Sequence, residues 1–312
     1  VLTALFFAKI LSMSFNSIPE FSFPLINDRD PETIERLKDA LTTHGFFTIT
    51  DHGLDDAVLS SSYSMSKKFF ELQESTKNIY AHPEMGGARG YTPFGKETAL
   101  GETTPDLKEF WHHGPVIDGS FDPRITSNVT VAEIPEFNSQ FDELFNDLNS
   151  LGMKVLSAIA VILDKEPTFF DSWVDKGNSL LRLLHYPPVS DISNIYRARA
   201  HADINLITLL VGAEESGLEV KNPDGDWIPI AAKSRSIVCN IGDMMQLVTR
   251  EKLKSTPHRV VDHNASGSSR YSMPFFLHPS PGVELHSIVD DSSESISAHD
   301  FLEERLKAIK LY

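Results

Sequence analysis

The run His201–Val211 reads HADINLITLLV: a histidine and an aspartate two residues apart lead into a β-rich apolar segment. Similar short runs occur on both sides of it. The β-rich runs are Leu180–Tyr186, Ile204–Val211, Leu218–Lys221, Trp227–Ile230, Ser236–Ile241 and Arg270–Leu277. Many short strands separated by turns predict a sandwich or barrel rather than alternating strands and helices. The C-terminal half is therefore predicted to be an all-β core.

Helical periodicity dominates the residues before this core. Asp30 followed by Pro31 is typical of a helix start, because proline fits the first turn, where N–H groups lack partners. Apolar stripes predict further helices over about 58–72, 135–163 and 298–311. The overall class is α+β, an all-β core with flanking helices. We expect an N-terminal extension 1–19, a helix-rich region 20–175, a β core 176–290 and a C-terminal helical region 291–312.

The composition restricts the classes of partner. The 312 residues include 44 Asp and Glu against 28 Lys and Arg, a formal net charge of −16. An acidic surface repels nucleic acid and anionic membranes, and we find no basic patch and no apolar run of roughly 18 residues, so neither partner is expected. The single cysteine, Cys239, excludes an intramolecular disulfide and favours a reducing, cytoplasmic location. The apolar residues 1–12 lack a basic segment before them, so an over-extended gene start is favoured over a signal peptide.

Three residues have the spacing of metal ligands. On a β-strand, residues i and i+2 lie on one face, so His201 and Asp203 can both reach one ion. The triplet alone is weak, because His82-Pro83-Glu84 has the same spacing and two such triplets are about what chance supplies. His258, in the later run STPHRV, adds a third ligand. Two histidines and a carboxylate leave three open positions on an octahedral ion, as non-haem Fe(II) oxygenases require.

A candidate anion site follows these ligands in the sequence. Arg270 and Ser272 are again i and i+2 on a predicted strand, so a guanidinium and a hydroxyl can hold one carboxylate. Tyr186 is a candidate third donor.

The order of these motifs resembles the Fe(II)/2-oxoglutarate-dependent oxygenases of the isopenicillin N synthase-like group. Other matching segments lie at 45–53 (GFFTITDHG), 106–111 (DLKEFW), 217–220 (GLEV) and 240–243 (NIGD). The resemblance implies a double-stranded β-helix, or jelly roll, and the cofactors Fe(II), 2-oxoglutarate and O₂. It implies Fe(II) bound by His201, Asp203 and His258, and 2-oxoglutarate bound through its C5 carboxylate. The C5 carboxylate would contact Arg270, Ser272 and Tyr186.

The implied reaction is hydroxylation or desaturation of a small molecule, with release of succinate and CO₂. Leu184 departs from many plant members, which have asparagine two residues before the tyrosine. The Arg-x-Ser motif also occurs in isopenicillin N synthase and in the plant aminocyclopropane-carboxylate oxidases, which use no 2-oxoglutarate. An oxidase of the same fold, with electrons from substrate or ascorbate, is therefore the first alternative. A jelly-roll protein that binds a metal or ligand without turnover is the second.

Four further residues are candidates for substrate contact. Arg182 lies on the predicted strand face of Tyr186, and Phe276 on that of Arg270; the alternatives are a surface charge and core packing. Arg89 and Tyr91, in the glycine-rich segment 86–95, are candidates to bind a polar substrate rather than simply solvate a loop.

Overall fold

The computed structural model describes residues 17–98, 104–188, 196–212, 217–230, 235–262 and 267–308. Most of the predicted extension 1–19 and the last residues of the predicted C-terminal helix lie outside them. The strands in these ranges are β1 Glu20–Ser22, β2 Phe46–Thr50, β3 Gly90–Thr92, β4 Glu109–His113, β5 Leu180–Tyr186, β6 Tyr196–His201, β7 Ile207–Val211, β8 Leu218–Lys221, β9 Trp227–Pro229, β10 Ile237–Ile241, β11 His258–Val261, β12 Arg270–Leu277, β13 Glu284–His286 and β14 Ser295–Ser297. The helices are α1 Phe23–Asn27, α2 Pro31–Thr43, α3 Asp56–Phe70, α4 Glu74–Ile79, α5 Phe137–Ile162, α6 Asp171–Val174, α7 Asp243–Val248 and α8 Ala298–Ala308.

Two sheets form the β core in the described part of the chain. The large sheet has the strand order β1-β2-β10-β7-β12-β5-β4-β3, and the small sheet the order β6-β11-β8-β9. Neighbouring strands are antiparallel, apart from the parallel pair of β1 and β2. Apolar side chains of both sheets, such as Phe110 and Val260, form one core cluster, so the two sheets pack face to face. This is the predicted jelly-roll core with flanking helices.

The long helix α5 covers the outer face of the large sheet. Its apolar stripe packs with Leu181, Leu183 and Leu209 in a second core cluster. Gly152 permits this close approach, because a Cβ there would lie 3.2 Å from Leu277 Cδ2. The bounds predicted for this helix, 135–163, agree with the structure to within two residues at each end.

Alternation along the strands separates two faces of the large sheet. On β5, Arg182, Leu184 and Tyr186 face inward, towards the small sheet, while Leu181 and Leu183 face the helix. The same division into inward- and outward-facing positions applies to the neighbouring strands, because residues paired across two strands lie on the same face of the sheet. Arg182 is paired with His112 of β4, Leu184 with Ser272 and Tyr186 with Arg270.

The structure corrects several sequence predictions about strands. The strand that carries His201 is β6, which ends at that residue, so Asp203 lies in the following loop rather than on the same strand. The apolar run after it becomes a strand only at Ile207. The β-rich runs of the sequence analysis do not include β1, β3, β4, β6, β11, β13 and β14, because polar, charged or glycine residues interrupt the apolar pattern in these strands. Among the described helices, none is long and apolar enough to cross a membrane.

Candidate active site

The three predicted metal ligands meet at one end of the jelly roll. His201, Asp203 and His258 each offer one ligand atom, and these atoms lie within 4.8 Å of one another. The strand register brings the two histidines together, because His258 of β11 is the direct cross-strand partner of His201. Asp203 is held beside them by its loop, with His258 Nε2 3.7 Å from Asp203 Oδ1.

Hydrogen bonds orient both imidazole rings for metal binding. His201 Nδ1 lies 2.7 Å from the Arg199 carbonyl oxygen, and His258 Nδ1 lies 3.3 Å from that of Thr256. A carbonyl oxygen can only accept, so Nδ1 carries the proton and the Nε2 lone pair is available to a metal. The geometry fixes the tautomer that a metal ligand needs.

The carboxylate is also oriented by its neighbours. Asp203 Oδ2 accepts hydrogen bonds from Thr208 Oγ1 at 2.6 Å and from Asn240 Nδ2 at 2.7 Å. Burial opposes ionisation of Asp203, but the two histidines and these bonds outweigh it and lower the pKa. Burial, followed by His258 and Lys108, lowers the pKa of His201 to about 4. At neutral pH the cluster thus offers the neutral imidazole of His201 and the carboxylate of Asp203, with His258 as the third candidate ligand.

This donor set fits Fe(II). Imidazole nitrogen and carboxylate oxygen suit a ferrous ion, and three ligands from one side leave positions for a chelating keto acid and for O₂. The Arg199 carbonyl, which accepts from His201, and the Thr208 and Asn240 side chains, which donate to Asp203, hold the ligands as outer-shell groups do in metal sites.

Arg270 is buried without a complete set of partners. It is 2% exposed, and its Nε and Nη2 atoms make no hydrogen bond with any described residue. Nη1 donates to Ser272 Oγ at 3.3 Å, and the guanidinium lies 5.2 Å from the ring centre of Tyr186. A buried donor without an acceptor is costly, so this guanidinium is suited to an anion that is bound during function. The Tyr186 hydroxyl makes no hydrogen bond to any described residue, whereas Leu184 offers no polar contact.

Two partly exposed side chains of the inner face have the chemistry to contact a substrate. They are Arg182 of β5 and Phe276 of β12, with the Arg182 guanidinium 5.4 Å from the Phe276 ring centre. Arg182 contacts Glu97, and Glu97 interacts electrostatically with His201, so Arg182 lies near the candidate metal ligands. The sequence predicted that Arg182 and Phe276 share the face of the anion site.

A hydrogen-bonded chain holds Arg182 in place. His112 Nδ1 lies 2.6 Å from the Gly87 carbonyl oxygen, so that nitrogen donates and Nε2 accepts from Arg182 Nε at 2.7 Å. On its other side, Arg182 Nη1 lies 3.3 Å from Glu97 Oε2. Lys108 Nζ is 2.6 Å from Glu97 Oε1, and these two cations outweigh burial and lower the pKa of Glu97. Sequence analysis missed the roles of His112 and Glu97, since neither lies in a motif.

Other candidates from the sequence lie elsewhere. Tyr91 is on the outer face of the large sheet, in the core with Trp111, and its hydroxyl donates to Glu109. Strand alternation explains this correction, because Tyr91 pairs in register with Trp111 rather than with the inward-facing Phe110. Arg89, by contrast, is buried near His112; burial, followed by Arg182 and then Arg89, lowers the pKa of His112. His82 is 2.7 Å from Glu84 in an exposed pair away from the cluster.

The fold and the site together define a class: a jelly roll with a mononuclear site of two histidines and one carboxylate. Comparisons with known proteins agree. Residues 177–279 match the 2OG-Fe(II) oxygenase superfamily, and residues 18–132 match the N-terminal region of the non-haem dioxygenases in morphine synthesis. A 2-oxoglutarate-dependent dioxygenase of Didymella fabae is 30% identical over 295 residues, which cover 87% of this chain and 88% of the relative.

Solved structures give the same result. A 2OG-Fe(II) oxygenase family protein from Caulobacter crescentus is 43% identical, with a TM-score of 0.86 over 94% of this chain and 99% of its own. A Neurospora crassa protein, solved in complex with alpha-KG and thymine, is 27% identical, with a TM-score of 0.83 over 95% and 98% of the two chains. The chain belongs to the 2OG-Fe(II) oxygenase superfamily and is a 2-oxoglutarate-dependent dioxygenase that uses Fe(II).

Proposed function

We propose that His201, Asp203 and His258 bind the catalytic Fe(II), and that Arg270, Ser272 and Tyr186 bind the C5 carboxylate of 2-oxoglutarate. The observation that carries the second assignment is the buried Arg270 guanidinium, whose Nε and Nη2 lack acceptors among the described residues. A carboxylate accepts from two parallel N–H groups of arginine, which this guanidinium offers.

The same observation bears on the first alternative, an oxidase that uses no 2-oxoglutarate. In such an enzyme, Nε and Nη2 of Arg270 would stay buried beside Tyr186 without a hydrogen-bond acceptor. A dicarboxylate cosubstrate gives them an acceptor and offsets the buried positive charge. This argument favours 2-oxoglutarate in spite of Leu184.

The bound iron, cosubstrate and O₂ supply the oxidising power for hydroxylation or desaturation, with release of succinate and CO₂. The chain contributes position and exclusion of water. Thr208 and Asn240 hold Asp203 in one rotamer, and Ser272 and Tyr186 hold Arg270 over the carboxylate position.

We infer that the substrate is a small polar molecule that packs on Phe276 and accepts a hydrogen bond from Arg182. Nη2 of Arg182 has no hydrogen bond to a described residue, while Nε and Nη1 are held by His112 and Glu97. A planar substrate such as the thymine of the Neurospora relative has the shape and acceptors for this arrangement. Arg89 is kept as a third substrate residue.

Two broader assignments complete the proposal. A reducing, cytoplasmic location is supported by Cys239, which is buried and unpaired in β10. The net charge of −16 supports the assignment that nucleic acid is not a partner of this protein. Small-molecule substrates are what the solved relatives bind.

An anaerobic titration tests the site assignments. Apo-protein is titrated with Fe(II) and then with 2-oxoglutarate, and the weak visible charge-transfer band of a chelated keto acid is recorded. We expect the band with the wild type, its loss in His258→Ala, and a higher 2-oxoglutarate requirement in Arg270→Ala. An unchanged band in His258→Ala would contradict the ligand assignment. Iron binding without the band would favour the oxidase.

A further inference from the structure

Arg89 is a buried cation with no acidic partner in the described part of the chain. It is 2% exposed, and its Nε makes no hydrogen bond there. Burial lowers its pKa to about 10, and no acidic group raises it. The guanidinium is still charged at neutral pH. An unpaired buried charge is costly, because the charge loses its hydration and gains no counter-charge in return.

Apart from Arg270, the other cations near the pocket differ from Arg89 in this respect. Lys108 contacts both Glu97 and Asp106, at 2.6 and 3.0 Å. Arg182 contacts Glu97, and Arg199 lies 3.3 Å from Asp106. The fold supplies carboxylates for these cations within a few ångströms. Arg89 has none among the described residues.

Neutral groups hold the Arg89 side chain in position. Nη1 donates to the Ala88 carbonyl oxygen at 2.6 Å, and Nη2 donates weakly to Asn178 Oδ1 at 3.4 Å. The guanidinium lies against Gly114, where a Cβ would be only 2.2 Å from Arg89 Cζ. The missing side chain at Gly114 thus creates the space for the guanidinium.

The surroundings of Arg89 connect it to the metal site. Arg89 Nη2 contacts Asn178, whose backbone N–H donates to the Pro279 carbonyl oxygen at 3.1 Å, directly after His278. His278 follows Phe276 by two residues at the end of β12, in the row of inward-facing positions that begins with Arg270. Its imidazole makes no hydrogen bond to a described residue. Arg89 is therefore one contact away from the His278 segment at the end of β12, and we place its guanidinium on the Phe276 side of the space beside the proposed metal ligands.

We propose that Arg89 binds a carboxylate of the substrate, and that the substrate class is small carboxylic acids. The cosubstrate carboxylate is matched by Arg270, so the charge of Arg89 remains for the substrate to neutralise. This inference rests on the proposed function, because it places the substrate beside the metal ligands and on Phe276. It extends that function by giving the substrate a negative charge.

The test compares carboxylates with amides of the same shape. Wild-type protein under nitrogen is saturated with Fe(II) and 2-oxoglutarate, so that Arg270 is occupied. The thermal midpoint is then followed with formate and formamide, acetate and acetamide, and benzoate and benzamide, at constant ionic strength. We expect at least one carboxylate to bind about 10- to 150-fold more tightly than its amide, the range for a hydrogen bond to a charged group.

Three variants assign the preference to this side chain. Arg89→Met should abolish it, whereas Arg124→Met, at an exposed arginine paired with Asp122, should retain it. Gly114→Ala keeps the charge but displaces the guanidinium, so it should also reduce the preference, even if Arg89→Met fails to fold. The inference is overturned if no carboxylate is preferred to its amide, or if the preference survives in Arg89→Met or Gly114→Ala. Loss of the 2-oxoglutarate band in the wild type would instead overturn the proposed function.

Discussion

The two faces of the large sheet each bury a charged group, Glu109 on the outer face and Arg270 on the inner face, and the two groups differ in how fully they are paired. On the outer face, Glu109 accepts from Lys77 at 2.6 Å, from His185 at 2.7 Å and from the Tyr91 hydroxyl. On the inner face, two nitrogens of Arg270 have no acceptor among the described residues.

The difference distinguishes a structural cluster from a binding site. A buried charge is tolerated when nearby groups satisfy it, and the chain itself does this for Glu109. Hydrogen bonds from His185, Lys77 and Tyr91 outweigh the effect of burial and lower the pKa of Glu109. For Arg270 the acceptor must come from outside the chain. Changes on the outer face should therefore affect stability, and changes on the inner face should affect ligand binding.

The largest effect is expected at the metal ligands. Asp203→Ala removes the charged ligand, and we expect succinate formation from 2-oxoglutarate to fall by more than about 100-fold, beyond the loss typical of an outer-shell change. Circular dichroism should show that the fold is retained. Asp39→Ala, at an exposed helical position, is the control and should leave activity unchanged. Full activity in Asp203→Ala would exclude the triad.

On the outer face, Glu109→Gln should act on stability. It leaves Lys77 buried without its counter-charge, and breaking a buried ion pair costs about 3–5 kcal/mol. Urea denaturation should show a loss of this order in the free energy of unfolding, with the 2-oxoglutarate requirement of the folded protein unchanged. Glu71→Gln, the same change at an exposed position, should cost less than about 0.5 kcal/mol. Equal losses in the free energy of unfolding for Glu109→Gln and Glu71→Gln would contradict the structural role of the charged cluster on the outer face.

On the inner face, Arg270→Ala should act on cosubstrate binding. It removes a charge-assisted bidentate interaction worth roughly 1.5–3 kcal/mol, so the 2-oxoglutarate concentration for half-maximal turnover should rise about 10- to 150-fold. Arg124→Ala is the control at an exposed ion pair. An unchanged requirement in Arg270→Ala would mean that the carboxylate binds elsewhere.

The smallest effect concerns pH and His278. Burial lowers the pKa of His278 to about 4, whereas an unfolded histidine titrates near 6.5. As pH falls from 6.5 towards 4, the unfolded chain takes up this proton first, so the folded state loses stability. Between pH 6.5 and 5 the loss from this group is about 2 kcal/mol. In metal-free protein, His278→Gln should reduce the pH dependence of the unfolding free energy by that amount; an identical dependence would refute the buried, neutral state.

Sequence motifs were sufficient to single out the residues to which we assign the chemistry. His201, Asp203, His258 and Arg270 were all predicted, because each lies in a short motif whose order along the chain is distinctive. The geometric reason for pairing His201 with Asp203, that both lie on one face of one strand, was incomplete. The chain leaves the strand after His201, and Thr208 and Asn240 orient Asp203 in the loop.

The pocket beyond the metal could be predicted only in part. The positions of Arg182 and Phe276 on the inner face followed from the alternation of side chains along β5 and β12, two strands that the sequence predicted correctly. The prediction that Tyr91 contacts the substrate was wrong, because strand β3 and its register with Trp111 could not be inferred from a glycine-rich segment. Glu97 and His112 gained their roles from tertiary contacts with Arg182, which no local pattern encodes.

The most direct test of the contrast between the faces is a thermodynamic cycle on Arg270. Anaerobic binding of 2-oxoglutarate is compared with that of 2-oxopentanoate, in which a methyl group replaces the C5 carboxylate, in the Fe(II) forms of the wild type and Arg270→Met. The account predicts that loss of this carboxylate weakens binding about 10- to 150-fold in the wild type and hardly at all in Arg270→Met. An equal loss in both proteins would contradict it, since the unpaired guanidinium would not be the carboxylate site.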